Sequence, residues 1–539
     1  MRTLSEVLSQ TAARFPQRLA IADGAQRITY RNLDERVDRV ARGLIELGVA
    51  KGDKVGLWMP NMPEWVIAYF AIARIGAVVV PMNTRYKPRE ASYILQNSET
   101  TTLFMVDTFV GIDYLEMLGK IRGALPSLKH VIVCGQKGSN SYTFDEIADL
   151  GATHVNDGKV AERATRCDPN DNVFILYTSG TTGNPKGAML SHHNIAENAE
   201  QVTKLLRTSE QDIFLLAVPF FHCFGCVMGI MGAIAWGASI VPMAVFKAKD
   251  ALQLIEQERV SITYGVPTMF VLKLEEYHKG KEDGSAYDIS SLRSGIMAGA
   301  PCPTKVMNAV ITELHCNTSI AYGLTEASPV ITMTRFDDSV KLRVETVGRA
   351  LPRIEVKIVD DDRQPLRTGE TGELACRGYN VMLGYYKMPD KTMQAIDGEG
   401  WLYSGDLATM DSEGYVSIVG RKKDMLITGG FNVYPAEIEE YLFTHPKVHN
   451  VSVIGVDDNA MGEVAVACVI PRPGATIDPQ EIVDFCDGKI ANFKVPRYVA
   501  IMDHFPTTQS GKIQKFLLSE QAEQLISTGA LVKLSRRRG

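Results

Sequence analysis

The sequence predicts an α/β protein with largely parallel sheets, followed by a β-rich stretch and a smaller α+β unit. Three observations carry this expectation. Apolar, strand-like runs alternate with helical spacings over the first part of the chain. Short strand-like pieces between Gly- and Asp-rich turns follow, as in antiparallel meanders. The remainder mixes helical and strand-like segments around fresh apolar runs.

In chain order, residues 32–47 place Leu33, Val37, Val40, Ala41, Leu44 and Ile45 at helical spacing and end at Gly48, which predicts an amphipathic helix. An apolar run at Val55 to Trp58, a helical pattern from Glu64 to Ile75 and a run at Val78 to Val80 read as strand, helix, strand. The alternation recurs with IFLLAVP, SITYGV, GIMAG and SIAYG as strands, and ALQLIEQER and TKVMNAVITEL as helices. VKIVD, GELACRG and YVSIVG form the predicted meander. The last unit comprises helices PAEIEEYLF and PQEIVDFC and strands VSVIGV, EVAVACVI and YVAIM, with a junction at Arg421 to Asp424. No internal repeat is visible.

The 539 residues exceed what one core serves, so three or four compact units are expected. With 45% hydrophobic and 22% charged residues, the composition excludes a disordered or fibrous protein. A net charge of −6 and a pI of about 6.0 argue against a nucleic-acid binder, so any anionic ligand needs a local cationic site. Nine cysteines without regular spacing fit a reducing cytoplasm, and the N-terminus lacks the apolar stretch of a secretory signal. Phe220 to Phe246 carries no Asp, Glu, Lys or Arg and contains Gly225-x-x-x-Gly229. Its His222, its glycines and Pro242 favour a buried segment over a transmembrane one. Arg536, Arg537 and Arg538 read as a solvated end, with weak peripheral attraction to anionic lipid as the alternative.

The most informative segment is YTSGTTGNPKG, Tyr177 to Gly187, between the apolar run VFIL and a helical pattern beginning near Ser191. Gly180, Gly183 and Gly187 permit a tight turn with exposed N–H groups. Thr178, Ser179, Thr181 and Thr182 add hydroxyls, and Lys186 adds a charge, a combination suited to polyphosphate. Lys186 follows Pro185 and precedes Gly187, so the loop departs from the G-x-x-x-x-G-K-[ST] pattern of P-loop ATPases.

With this loop the sequence resembles the acyl-activating, adenylate-forming superfamily of acyl- and aryl-CoA synthetases, luciferase-like enzymes and peptide-synthetase adenylation domains. The likeness continues in order through AGAP (Ala298 to Pro301), YGLTE (Tyr322 to Glu326), VGRALP (Val347 to Pro352) and GELACRGYNVMLGYY from Gly372. It extends to YSGD (Tyr403 to Asp406), GRKKDMLITGGFNVYPAEIE from Gly420 and PTTQSGKIQK (Pro506 to Lys515). It implies an N-terminal AMP-binding domain, 1–422, with two α/β sheet subdomains and a smaller β-rich subdomain. A small mobile α+β domain, 423–539, would follow.

The implied reaction converts a carboxylic acid to an acyl-adenylate with ATP, then to a coenzyme A thioester. A carboxylate is a poor electrophile, and joining it to the α-phosphate creates a mixed anhydride with a good leaving group. All partners are anionic, so the site must supply cations and N–H donors, with Mg2+ as the expected metal. The resemblance assigns Mg2+ to Glu326 with Thr181, a phosphate contact to Thr325, and the adenine pocket to Gly299, Ala300, Pro301, Tyr322 and Gly323. It gives the ribose to Asp406 and Arg421, and the bridge between carboxylate and α-phosphate to Lys512. Lys423 becomes the hinge, and Gly429 and Gly430 line the pantetheine path. Phe221, His222 and Phe224 fall where the family forms one wall of the acyl pocket.

On residue chemistry alone, His222 is a core histidine, Lys512 a surface lysine and Cys223-x-x-Cys226 a pair of buried small side chains. Gln514-Lys515 stands where the family ends in a basic Arg, which keeps the charge but not the planar fork. Four other readings compete: a peptide-synthetase adenylation domain, which a carrier domain should follow; a ligase loading a separate carrier protein; a luciferase-like oxidoreductase; and a non-catalytic acyl or nucleotide binder, which should have lost Lys512, Glu326 or the phosphate loop. Aromatics around His222 favour a medium- or long-chain fatty acid, with an aryl or alicyclic acid as the alternative. A homodimer is the expected assembly.

Overall fold

The computed structural model describes residues 1–153, 158–178, 185–300, 303–429, 431–458, 461–507 and 513–534. Two compact units divide the chain where length suggested three or four: Met1–Val356 with Cys376–Leu402, and Lys357–Ala375 with Tyr403–Gly539.

The first unit contains two sheets. One is eight-stranded, in the order Gly384–Tyr385, Lys186–Ser191, Asn172–Thr178, Val78–Pro81, Lys54–Trp58, Thr102–Val106, His130–Cys134 and Tyr142–Thr143. It is parallel from Asn172–Thr178 onward and antiparallel at the Gly384 end. The other is nine-stranded, in the order Arg349–Ala350, Val330–Met333, Asn317–Gly323, Ser294–Ala298, Ile262–Gly265, Ile213–Leu216, Ser239–Pro242, Leu19–Asp23 and Gln26–Thr29. Its six strands from Asn317–Gly323 to Leu19–Asp23 are parallel.

These sheets share a core, which is why the sequence length overstates the number of units. Helix Pro63–Arg74 is buried at every position but Glu64. Its Trp65 packs 5.5 Å from Phe220, beyond the end of Ile213–Leu216, and its Tyr69 packs 5.1 Å from Phe174 in the eight-stranded sheet. Asn61 donates through Nδ2 to the carbonyls of Leu216, Val218 and Met243 and accepts from Phe220 N, closing polar groups that would otherwise be orphaned in that core. The amphipathic stripe read from Leu33 to Leu44 forms helix Tyr30–Glu46, capped by the Thr29 hydroxyl.

Two local features depart from the sequence reading. Lys186–Ser191 is a strand, hairpinned onto Asn172–Thr178, before helix His192–Leu205 begins under the Ser191 cap. Gly187 permits this pairing, since a Cβ there would lie 2.6 Å from Ile175 Cγ2. The uncharged 220–246 stretch is buried, as expected, but it opens with a π-helix, Phe224–Met231, ahead of helix Gly232–Trp236 and strand Ser239–Pro242. Among the described residues, no helix is long and apolar enough to cross a membrane.

The second unit takes in most of the antiparallel meander Ile354–Val359, Gly372–Gly378, Leu402–Met410 and Val416–Arg421. Its other sheet runs Phe431–Val433, Leu426–Thr428, Gly462–Pro471 and Val448–Asp458, with Tyr498–Ile501 parallel to Gly462–Pro471. Both faces are covered. Val451 and Val453 join the core of helices Pro435–Leu442 and Pro479–Cys486, while Ile454 and Val456 face Leu518 and Ala522 of helix Lys515–Ser527. Burial on both faces explains the near-continuous apolar run of VSVIGV.

Candidate active site

Three of the segments singled out in the first unit follow strands of the nine-stranded sheet, whereas the phosphate loop joins two strands of the eight-stranded one. Ile213–Leu216, Ile262–Gly265, Ser294–Ala298 and Asn317–Gly323 are parallel neighbours, so their carboxyl ends face the same way. They lead into 219–225, 299–301 and 324–326. Open α/β sheets bind ligands beyond the carboxyl ends of their strands.

Ala298 pairs with Ala321, so exposed Gly299 and Ala300 leave the sheet beside Tyr322 and Gly323. Gly323 admits no other residue: a Cβ there would lie 1.8 Å from the Pro329 carbonyl oxygen. Pro301 lies outside the described residues, as do Ser179, Gly180, Thr181, Thr182 and Gly183 of the phosphate loop. The loop's two ends are visible. Thr178 closes one strand and donates through Oγ1 to the carbonyl of Lys186, which opens the next, at 3.3 Å.

Thr325 and Glu326 lie in a single 3-10 turn, Thr325–Ala327. Glu326 is 9% exposed, and its Oε1 accepts a hydrogen bond from the Tyr385 hydroxyl at 2.8 Å. Burial, and then the Glu326 charge, push the Tyr385 phenol well above its ordinary range, so it stays a proton donor at neutral pH. The other side of this tyrosine meets the phosphate loop, with Lys186 Nζ 4.1 Å from the ring centroid. Tyr385 therefore links two predicted site residues that lie far apart in sequence. The sequence reading missed it, although it belongs to the GYY that ends the GELACRGYNVMLGYY segment.

Among the described residues, no cluster of three or more His, Cys, Asp or Glu could hold a metal alone. A lone buried carboxylate suits Mg2+, which takes one or two carboxylates and completes its octahedron with phosphate and water oxygens. The chemistry of the Glu326 carboxylate is compatible with that ion.

In the 219–225 segment, His222 and Phe221 are half-buried and Phe224 is buried. His222 Nδ1 accepts from Phe224 N at 3.2 Å and lies 3.6 Å from Cys223 Sγ, which leaves the ring proton on Nε2. Phe224 stacks on Tyr264 with centroids 5.5 Å apart. Cys223 Sγ is 3.7 Å from Thr325 Oγ1, joining the 219–225 segment to the turn Thr325–Ala327. The Cys223 and Cys226 thiols are buried, and burial drives the Cys226 thiol up, away from reactivity.

In the second unit, Asp406 and Arg421 are register partners on adjacent antiparallel strands, with Arg421 Nε 3.4 Å from Asp406 Oδ1. Lys423 is exposed, and partial desolvation lowers its pKa against the opposing pull of Asp424 and Asp406. Gly429 ends the strand-turn after Leu426–Thr428, and its N–H donates to Met461 O at 2.7 Å. Lys515 bonds Glu439 Oε1 at 2.7 Å and Val453 O at 3.0 Å inside this unit, a structural tie for the residue standing in place of the family's Arg. Gly430 and Lys512 lie outside the described residues.

Comparison with known proteins shows the family. Residues 8–386 match the AMP-binding enzyme family, and residues 437–512 match the AMP-binding enzyme C-terminal domain. A putative acyl-CoA synthetase, YngI, of Bacillus subtilis is 44% identical over 97% of this chain and 98% of its own length. A mitochondrial medium-chain acyl-CoA ligase, ACSF2, of Macaca fascicularis is 40% identical over 97% of this chain and 87% of its own. Among solved structures, the anthranilate CoA ligase AuaEII in complex with anthranoyl-AMP aligns with a TM-score of 0.87 at 28% identity, covering 98% of both chains.

Proposed function

Since the chain belongs to the AMP-binding enzymes and is an AMP-forming acid–coenzyme A ligase using ATP and CoA, we propose that its acid is a medium- or long-chain fatty acid. The observation that carries this reading is the apolar wall beyond Ile213–Leu216: Phe224 stacked on Tyr264, and the fully buried Phe224–Met231 segment behind it. Such a wall offers an alkyl chain burial. The medium-chain substrate named for ACSF2 supports the same choice.

In the proposed chemistry, the loop from Thr178 through Ser179, Gly180, Thr181, Thr182 and Gly183, with Lys186, cradles the triphosphate. Gly299, Ala300, Pro301, Tyr322 and Gly323 wall the adenine. Glu326, with Thr181, holds Mg2+, which offsets phosphate charge when bound. Thr325 donates to phosphate, and Asp406 and Arg421 take the ribose. Lys512 bridges the attacking carboxylate and the α-phosphate, so negative charge gathering there meets a cation. Residues 423–539 then turn about Lys423, and Gly429 and Gly430 admit the pantetheine thiol to the acyl carbonyl, releasing AMP. We assign the enzyme to the cytoplasm as a homodimer, with Arg536, Arg537 and Arg538 as a solvated end and peripheral attraction to anionic lipid as the alternative.

An aryl or alicyclic acid is the second reading, favoured by the likeness to AuaEII. The deciding experiment measures AMP release over a panel of carboxylic acids, with and without CoA, and identifies products by mass spectrometry. Turnover highest with C8 to C16 fatty acids, giving acyl-CoA, is the expected result; turnover confined to benzoate-like acids refutes it. Acyl-adenylate accumulating despite CoA would instead point to a carrier-protein acceptor.

A further inference from the structure

We propose that Tyr385 is a positioning residue for adenylation, holding the Glu326 carboxylate by its hydroxyl and Lys186 by its ring. The inference rests on the reading of Glu326 as the magnesium ligand. The hydroxyl bond at 2.8 Å occupies Oε1 and fixes the carboxylate plane, so Oε2 is the oxygen presented to a metal. The ring face takes the Lys186 ammonium 4.1 Å from its centroid. One side chain thus contacts both groups, the carboxylate through its hydroxyl and the ammonium through its ring.

Tyr385 can set both groups because its own backbone is pinned to both. Met382 N donates to Glu326 O at 2.9 Å. Leu383 N and Tyr386 N donate to Met189 O and Gly187 O, at 2.9 and 2.8 Å, and Tyr385 pairs with Ala188. Thr392 Oγ1 accepts from Tyr385 N at 2.8 Å, so the strand is held from its far side as well. The short strand Gly384–Tyr385 is therefore a brace between the end of the phosphate loop and the turn bearing Glu326. A tyrosine placed only for packing would not need its hydroxyl on a carboxylate oxygen.

The test uses full-length protein and two readouts: Mn2+ binding followed by EPR in the presence of a non-hydrolysable ATP analogue, and metal-free binding of that analogue. Tyr385→Phe keeps the ring and loses the hydroxyl. It should weaken Mn2+ binding by about tenfold or more, the effect of losing one hydrogen bond to a charged group, with metal-free nucleotide affinity unchanged. Tyr385→Leu should weaken both, because Lys186 then loses its platform. Wild-type Mn2+ affinity in Tyr385→Phe overturns the inference. Glu326→Gln is the control for the premise: Mn2+ affinity unchanged in that variant refutes the metal assignment itself, whereas a loss there beside a wild-type Tyr385→Phe refutes only the role of Tyr385. If Tyr385→Leu does not fold, Tyr385→Phe alone decides.

Discussion

Asp406 and Arg421 face each other across two antiparallel strands, Oδ1 to Nε 3.4 Å, with the carboxylate side chain 14% exposed and the guanidinium 51% exposed. The strand register holds the acceptor in place and leaves its cation partner open to solvent. An acidic oxygen held this way can take a ribose hydroxyl without a large ordering cost. Asp406→Asn should raise the Kd for ATP by about tenfold, in line with the loss of a charge-assisted hydrogen bond. Isothermal calorimetry with ATP checks it, and an unchanged affinity would remove Asp406 from the ribose site.

Lys512 is proposed to act only in the first half-reaction. Lys512→Ala should lose acid-dependent pyrophosphate exchange by two orders of magnitude or more, on the scale of about 10²–10³ for a lost charge-stabilising donor. Thioester formation from supplied acyl-adenylate and CoA should persist. Equal loss of both steps would sink the assignment.

Gly323 is a steric requirement rather than a hinge. A Cβ at this position meets the Pro329 carbonyl oxygen at 1.8 Å and the Pro329 carbonyl carbon at 2.8 Å, both backbone atoms just ahead of strand Val330–Met333, whose Val330 pairs with Gly323. Gly323→Ala should therefore shift the strand end beside Tyr322, lowering stability by about 1–3 kcal/mol and weakening nucleotide binding with it. Thermal unfolding with and without ATP measures both effects. Wild-type stability would show that the strand end gives way freely.

His192 supplies a pH dependence. It is 1% exposed, its Nδ1 accepts from Leu4 N at 3.2 Å, and burial lowers its pKa from 6.5 to about 4. The unfolded chain therefore binds the proton more readily. Stability from this group is complete above pH ~6.5 and is lost progressively as pH falls to about 4, for a total of about 3 kcal/mol. Denaturant midpoints between pH 7 and 4 should fall more steeply in the wild type than in His192→Gln. Parallel curves would exclude His192 as a source of acid sensitivity.

Much of this protein was legible in one dimension because its cores are built from local periodicities. The stripe from Leu33 to Leu44, the fully buried run at Val78, and the alternation of IFLL, ITYG, GIMA and SIAY with helical spacings each reflect a face that must be covered. The same holds for the order of the motif segments, from which the family could be recognised. Lys186–Ser191 escaped notice because a strand of six residues rich in small side chains carries little period-two contrast, and its pairing depends on Gly187 meeting Tyr177 on another strand. The π-helix at Phe224 was hidden for a related reason, since an apolar run has no polar face to report its pitch.

By itself, the sequence determined the α/β class and which short segments bear the reactive residue types, since these depend on residue identity and near-neighbour spacing, and through its resemblance to a known family it implied the ligase chemistry. Only the tertiary structure decided that Tyr385 lies between Lys186 and Glu326, that Cys223 touches Thr325, and that Asp406 is paired with Arg421. Those contacts join residues tens to about two hundred positions apart, and their partners are selected by sheet order and register, which no local pattern of side chains encodes.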